Sequence, residues 1–397
     1  MKRILVVRPD FNPPGGGRSV AAWTVQALRD DHHVDVLAAK PVNIAAINRH
    51  YGTTLRSTDI RSQAVAPLIG NLTRRFDLWQ YIHLLRHAQR LRGNYDVMIG
   101  LQNEADFGGR GIQYIHYPRF HDPRINPNVP NAPNVPRVPR VSEPADGPSP
   151  RWYHRSPIFM RWYLRLAGIG SGFSMARMRE NLTFANSDWT GRLVKAAHGI
   201  EPTTLYPPVA DSFPRVPWEQ RKMGFVCVGR IAPVKRLEMI VAILAAVRQR
   251  GHDVHLHIAG VPGNQNYFQL VQRLCAQHRP WVSLDLDLPR PALAQLIATH
   301  RYGIHGMARE RFGIAVAEMV TAGCIVFVPN NGGQVEIIGD SAELRYDTPD
   351  EAVDKIDAVL REPARQDAFR EILAARSARF SAAEFMRQMR AGVAQFT

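Results

Sequence analysis

The chain has 397 residues, 45% of them hydrophobic, and carries 50 basic against 35 acidic side chains, a formal net charge of +15. That length and apolar content describe a soluble globular protein of about two domains, each large enough for its own core. No apolar run is long enough to span a bilayer, and the basic excess, mostly arginine, implies attraction to nucleic acid, an acidic lipid surface or phosphate-bearing substrates, unless it reflects a GC-rich bacterial composition.

Residues 1–8 (MKRILVVR) hold only four apolar positions after a basic start, which makes a first strand and not a signal peptide. The three cysteines, Cys227, Cys275 and Cys324, have no metal-ligand spacing and read as reduced, buried thiols of a cytosolic protein. The strand at 4–7 runs into a loop with Gly15, Gly16 and Gly17, and a helix is expected over 20–29. Glycines there let backbone approach a ligand, and the helix start favours an anion. The spacing is not that of a dinucleotide fingerprint, and Asp35 lies inside the next strand, so a plain tight turn fits these residues equally well. Apolar runs at 34–37, 95–99, 112–115 and 182–185, alternating with helical stretches such as 78–91, predict a doubly wound parallel sheet. Ligands of such sheets sit beyond the C-terminal strand ends, where His116 follows the run 112–115.

Residues 118–150 are dense in Pro, Asn and Arg and can form neither a helix nor a central strand. They read as a long loop, either a lid or acceptor-binding segment or an insertion. The stretch 151–179 interleaves aromatics with arginines, a pattern suited to an anionic membrane surface or to a core-facing helix with snorkelling arginines. Proline-rich residues 206–217 mark a linker.

A second series of strands and helices begins with a strand at 225–228 and a helix at 237–249, joined by a loop holding Arg230 and Lys235. The planar fork of arginine and the point charge of lysine both suit phosphate oxygens. Strands are expected at 254–258 and 282–286. Asp285 and Asp287 have the spacing of a metal-binding pair, but Leu284, Leu286 and Leu288 alternate with them as in a half-buried strand end. A helix is expected over 312–322, followed by a strand at 324–328 and a glycine turn at 330–336 that closes over a base. Glu310 precedes that helix and Glu318 lies within it. The amides of Gly313, Ile314 and Ala315 have no intrahelical partner and attract a phosphate.

Gly229-Arg230 with Lys235, the pair Glu310 and Glu318 around Phe312-Gly313, and Gly332-Gly333 before Glu336 resemble family 4 of the retaining glycosyltransferases. Residues 114–118 (YIHYP), 185–190 (ANSDWT), 205–208 (LYPP), 286–289 (LDLP), 303–305 (GIH) and 378–381 (ARFS) resemble the α-1,2-mannosyltransferase branch that extends dolichol-linked oligosaccharides, although Arg309 and Arg311 flank Glu310 here. The glycine loop with Arg18 and Trp23 resembles it too. The resemblance implies an α/β protein of the GT-B fold, two Rossmann-like domains facing across a cleft. Residues 1–206 would bind the acceptor and 224–380 the nucleotide sugar, with a linker at 207–223 and a C-terminal helix, 381–397, crossing back to the first domain. It implies donor contacts from Gly16, Gly17, Arg230, Lys235, Leu286, Leu288, Glu310, Phe312, Gly313, Ile314, Ala315 and Glu318. Glu310, His116, Arg230 and Lys235 would serve catalysis. The implied reaction moves a hexose from GDP-mannose or a UDP-sugar to a glycan or glycolipid hydroxyl without metal, cofactor or nucleic acid. The implied location is cytoplasmic, with peripheral membrane contact through 151–179. A GT-B-fold sugar-nucleotide epimerase would share the architecture. A basic nucleic-acid-binding protein would account for the charge, but no nucleic-acid motif is present.

Overall fold

The computed structural model describes residues 1–65, 77–118, 172–210 and 212–396. The expected loop 118–150 and basic aromatic stretch 151–179 lie outside the described residues, apart from Pro118 and 172–179. The chain forms two compact units. The described residues up to Pro208, with the helix Ala382–Ala394, make the first, and Val209–Ser381 the second.

The first unit is built on seven parallel strands: β1 (Arg3–Val7), β2 (His33–Ala38), β3 (Ile60–Ala64), β4 (Val97–Gly100), β5 (Ile112–Ile115), β6 (Leu182–Ala185) and β7 (Thr203–Thr204), in the order β3-β2-β1-β4-β5-β6-β7. Ile4, Leu5, Val6 and Val7 are all buried. Such an uninterrupted apolar run is what a strand covered on both faces requires. Strand order reverses between β1 and β4, whose register pairs Ile4 with Val97 and Val7 with Gly100. On one side of the sheet Leu5, Val7 and Leu37 pack with Leu84, Leu85 and Phe107. The helix Gly16–Leu28 starts four residues before the expected 20–29, so Gly16 and Gly17 form its first turn and not a loop. Nothing in local periodicity signals a helix opening on two glycines; the turn at Gly15, with φ 137°, sets it.

The helix Ala382–Ala394 buries Ala382, Phe385, Met389 and Val393, a spacing that lines one helical face. That face packs on Gly16–Leu28. Arg390 Nε donates to Ala27 O at 2.7 Å, Lys2 Nζ donates to Val393 O at 3.1 Å, and Phe385 meets Tyr114 edge-on.

The second unit has six parallel strands: β8 (Lys222–Val228), β9 (His255–Gly260), β10 (Val282–Leu286), β11 (His300–Ile304), β12 (Ile325–Pro329) and β13 (Arg345–Tyr346), ordered β10-β9-β8-β11-β12-β13. Here the reversal falls between β8 and β11. No apolar run marks β11 or β13. β11 opens on His300 and Arg301 and includes Gly303, so it shows no apolar run, yet it sits mid-sheet between β8 and β12.

All three cysteines are buried and free. Burial pushes the thiols of Cys227 and Cys324 up to about 12 and that of Cys275 to about 11, so none is a nucleophile at neutral pH. Among the described residues no helix is long and apolar enough to cross a membrane.

Candidate active site

In an open parallel sheet, ligands bind beyond the C-terminal strand ends at the point where strand order reverses. In the second unit that point is flanked by the segments following β8 and β11. After β8 come Gly229, Arg230 and the turn Pro233–Lys235. Arg236, in the left-handed region at φ 50°, then leads into the helix Leu237–Gln249. After β11 come His305 and, further on, Glu310. Lys235 Nζ donates to Glu310 Oε2 at 2.6 Å, and His305 Nε2 lies 3.3 Å from the same oxygen.

The loop carrying Glu310 is pinned from behind. Arg309 is held at φ 59°, Gly333 N donates to Glu310 O at 2.7 Å, and Gln334 Nε2 donates to Met307 O at 2.9 Å. Left-handed backbone at two non-glycine residues beside one ion pair is strain of the kind found at functional sites. Gly332, at φ 93°, brings its backbone so close that a Cβ there would meet Glu310 O at 2.4 Å. The glycine turn expected to close over a base also supports Glu310. Gly332→Ala adds backbone strain of about 1–3 kcal/mol besides that clash, and should lower the urea midpoint of the second unit measurably.

Burial alone would raise the Glu310 carboxyl, but the Lys235 charge and the His305 hydrogen bond outweigh it and hold the group well below 4.5. Burial, reinforced by Lys235, keeps the His305 pKa below 6.5. The signs give two steps. The unfolded chain protonates His305 first, so its contribution to stability is lost as pH falls below 6.5 towards the folded value. The Glu310 contribution is complete above 4.5 and is lost only as pH falls through the depressed folded value. A His305→Gln variant should show a shallower loss of melting temperature below pH 6.5 than the parent, with the later, more acidic loss retained.

The helix beyond Glu310 spans Ile314–Thr321, two residues later than expected, because Gly313 turns the chain at φ 100°. Phe312, expected to touch the donor, is 2% exposed, with its ring centroid 5.6 Å from that of Phe380. Gly313 adjoins the carboxylate: a Cβ on it would lie 3.4 Å from Glu310 Cγ. With no side-chain cap, the amides of Ile314, Ala315 and Val316 lack partners within the helix. Lys235, Glu310 and this helix start are thus brought together.

Glu318, one turn into the helix, is ion-paired with Arg290, whose guanidinium also lies 5.2 Å over the Phe213 ring. Leu286 ends β10, and Leu288 lies two residues before Arg290 at the start of the helix Arg290–Ala298. Leu286 is 41% exposed, unusual for a leucine at a strand end. Arg290 did not figure in the sequence reading; it carried no local signal, being a lone basic residue at a helix start. Arg230 is exposed at the end of β8, next to Gly263 of the loop after β9.

The first unit has its own rim residues. Beyond β1 and β4, Arg8, Gly17 and His116 converge: a Cβ on Gly17 would lie 2.9 Å from Arg8 Nη2 and 3.1 Å from His116 Nε2. His116 Nε2 is 3.3 Å from Leu101 O, and its backbone N–H donates to Asn103 Oδ1 at 2.9 Å. Gly16 is exposed at the helix start. Arg8 was missed, although a charge immediately after an apolar strand was the available signal. Its guanidinium is buried, and burial with the neighbouring Arg18 charge lowers its pKa to about 10. Asp10 accepts from both Arg18 (3.0 Å) and Lys40 (2.8 Å), leaving this rim cationic.

Two doubly wound parallel sheets, each with charged side chains at its reversal point, are the GT-B glycosyltransferase fold. Anabaena HepE, solved in complex with UDP and glucose, matches with a TM-score of 0.68 at 14% identity, covering 100% of both chains. WaaG, a glycosyltransferase involved in lipopolysaccharide biosynthesis, matches at 0.64 and 15%, covering 97% of this chain and 98% of that one. Residues 210–376 match the family model described as Glycosyl transferases group 1. Among curated proteins, the GDP-Man:Man(3)GlcNAc(2)-PP-Dol alpha-1,2-mannosyltransferase of Candida glabrata is 24% identical over 198 residues, 44% of this chain and 36% of the relative. Its Mus musculus counterpart is 23% identical over 173 residues, 39% and 35%. The chain matches about a third of the length of these relatives.

Proposed function

We propose that this protein is a retaining hexosyltransferase of family 4, moving a sugar from a nucleoside diphosphate donor to a hydroxyl of a glycan or glycolipid. The observation that carries this reading is the Lys235–Glu310 pair beside the uncapped helix start at Gly313, within the residues that match the Glycosyl transferases group 1 model. The lysine ammonium has three donors, so Lys235 can hold Glu310 and a phosphate oxygen together. As the sugar–phosphate bond breaks, negative charge grows on the leaving diphosphate, and Lys235, Arg230 and the amides of Gly313, Ile314 and Ala315 neutralise it. Glu310 stays ionised and orients the sugar hydroxyls, while Glu318 takes the ribose in exchange for Arg290 and Leu286 and Leu288 flank the base. Within the first unit, His116 lies with Gly17 and Arg8 at a rim of its own. The leaving phosphate takes the acceptor proton on the face it departs from, so no protein nucleophile is needed. Lys235, Arg230 and the helix supply the countercharge, so the transfer step runs without metal.

GDP-mannose is the first donor to test, following the motif resemblance and the names of the curated relatives. UDP-glucose is the second, following the solved neighbour bound to it. A melting panel of GDP-, UDP- and ADP-sugars should show one nucleotide raising the transition with concentration. Product analysis with donor alone should show no epimer, and adding acceptor should release the nucleoside diphosphate with the anomeric configuration kept. Glu318→Ala should raise donor KM about 10-fold with kcat kept, and an unchanged KM would remove the ribose contact. The location that goes with this reading is the cytoplasmic membrane face, where 151–179 would meet anionic lipid.

A further inference from the structure

At the end of the second sheet opposite Lys235 and Glu310, three histidines crowd together. His255 and His257 stand on β9, and His300 opens β11. β8 runs between these strands, and at the position paired with His255 it carries Gly224. A Cβ there would lie 2.3 Å from His255 Nε2, so the absent side chain is what lets this imidazole lie across β8. His255 Nε2 thereby comes 3.0 Å from His300 Nε2. The ring centroids are 4.9–5.5 Å apart with interplanar angles of 63–83°, so each ring is steeply inclined to the other two. One nitrogen from each ring lies within 4.8 Å of the others.

Two of the outer nitrogens are already held. His257 Nδ1 lies 2.8 Å from Asp285 Oδ2, and His300 Nδ1 lies 2.6 Å from Leu296 O. A carbonyl can only accept, so the His300 proton sits on Nδ1 and its Nε2 presents a lone pair; Asp285 imposes the same tautomer on His257. Ligating histidines are oriented in this way, by a carboxylate or carbonyl on the far nitrogen.

We propose that His255, His257 and His300 bind one divalent transition-metal ion of the zinc class through their inward nitrogens, with a fourth position open to water. Zinc–nitrogen bonds of about 2.0–2.1 Å in a tetrahedron place two ligand nitrogens roughly 3.3 Å apart, close to the separation of His255 and His300. The ion would tie β9 to β11 over β8 and is independent of sugar transfer. This explains Asp285, whose metal-like spacing with Asp287 is used to orient a ligand and not to ligate.

The test uses the full chain, stripped with chelator and titrated with cobalt(II) as the probe. The expected result is one equivalent taken up with the intense visible spectrum of tetrahedral nitrogen ligation, displaced by zinc, and a melting temperature raised by zinc. His257→Gln and Gly224→Ala should each weaken uptake at least about 10-fold, and Asp285→Asn by about 10-fold. His278→Gln, outside the cluster, should not. Absence of stoichiometric uptake by the parent chain, a weak octahedral spectrum, or uptake indifferent to His257→Gln would each overturn the proposal. The parent spectrum decides the matter even where a variant fails to fold.

Discussion

Lys235→Ala should lower kcat/KM by about 10²–10³-fold, the loss seen when one preorganised charge-stabilising donor is removed from a site. The argument rests on where the ammonium sits. It is held at 2.6 Å on Glu310, and both side chains are mostly shielded from water, at 16% and 17% exposure. Its position is therefore set before any donor arrives. Removing it leaves Glu310 with His305 and the Arg311 amide as its side-chain partners among the described residues. Stripping one partner from a shielded pair destabilises, but here the carboxylate retains a path to water, so about 1–2 kcal/mol is expected and not the larger cost of a fully buried charge. Lys235→Arg keeps the charge with a different geometry and should recover only part of the rate. Initial rates of nucleotide release, paired with melting curves, check the prediction. Near-normal turnover in a folded Lys235→Ala protein would end the diphosphate role.

Deleting the chain from residue 382 onward should collapse soluble yield of the whole protein. Phe385, Met389 and Val393 are at most 1% exposed, and Ala382 is 7% exposed. At about 1.5–3 kcal/mol per large buried side chain, the helix contributes roughly 5–8 kcal/mol, comparable with the entire stability of a domain. The surface it leaves is apolar, since the helix Gly16–Leu28 is buried on the side that meets it as well as on the sheet side. Phe385→Ala alone should cost about 3–4 kcal/mol, readable as a shift of the urea midpoint. A truncated chain that retains native near-UV circular dichroism and its melting transition would contradict this packing account.

Much of the architecture can be read locally. The bounds of β5, β6, β10 and the helix Leu237–Gln249 follow from apolar runs and their breakers alone, and β1 and β8 were found with their ends displaced by one to three residues. β11 escaped because its burial comes from its two neighbouring strands and not from its own residues. Phe312 packing against Phe380, and the close approach of Gly332 to Glu310, left no local pattern either.

By itself, then, the sequence determined two alternating strand and helix series and nominated Lys235, Glu310 and Glu318, because periodicity, glycine turns and charge are properties of neighbours along the chain. The tertiary structure alone decided that Lys235 meets Glu310 across 75 positions, that Arg290 holds Glu318, that Arg8 lies under Gly17, and that three histidines from two strands share one point. Those meetings depend on parallel strand order and register, which bring together residues far apart in the chain and leave no pattern within any local window.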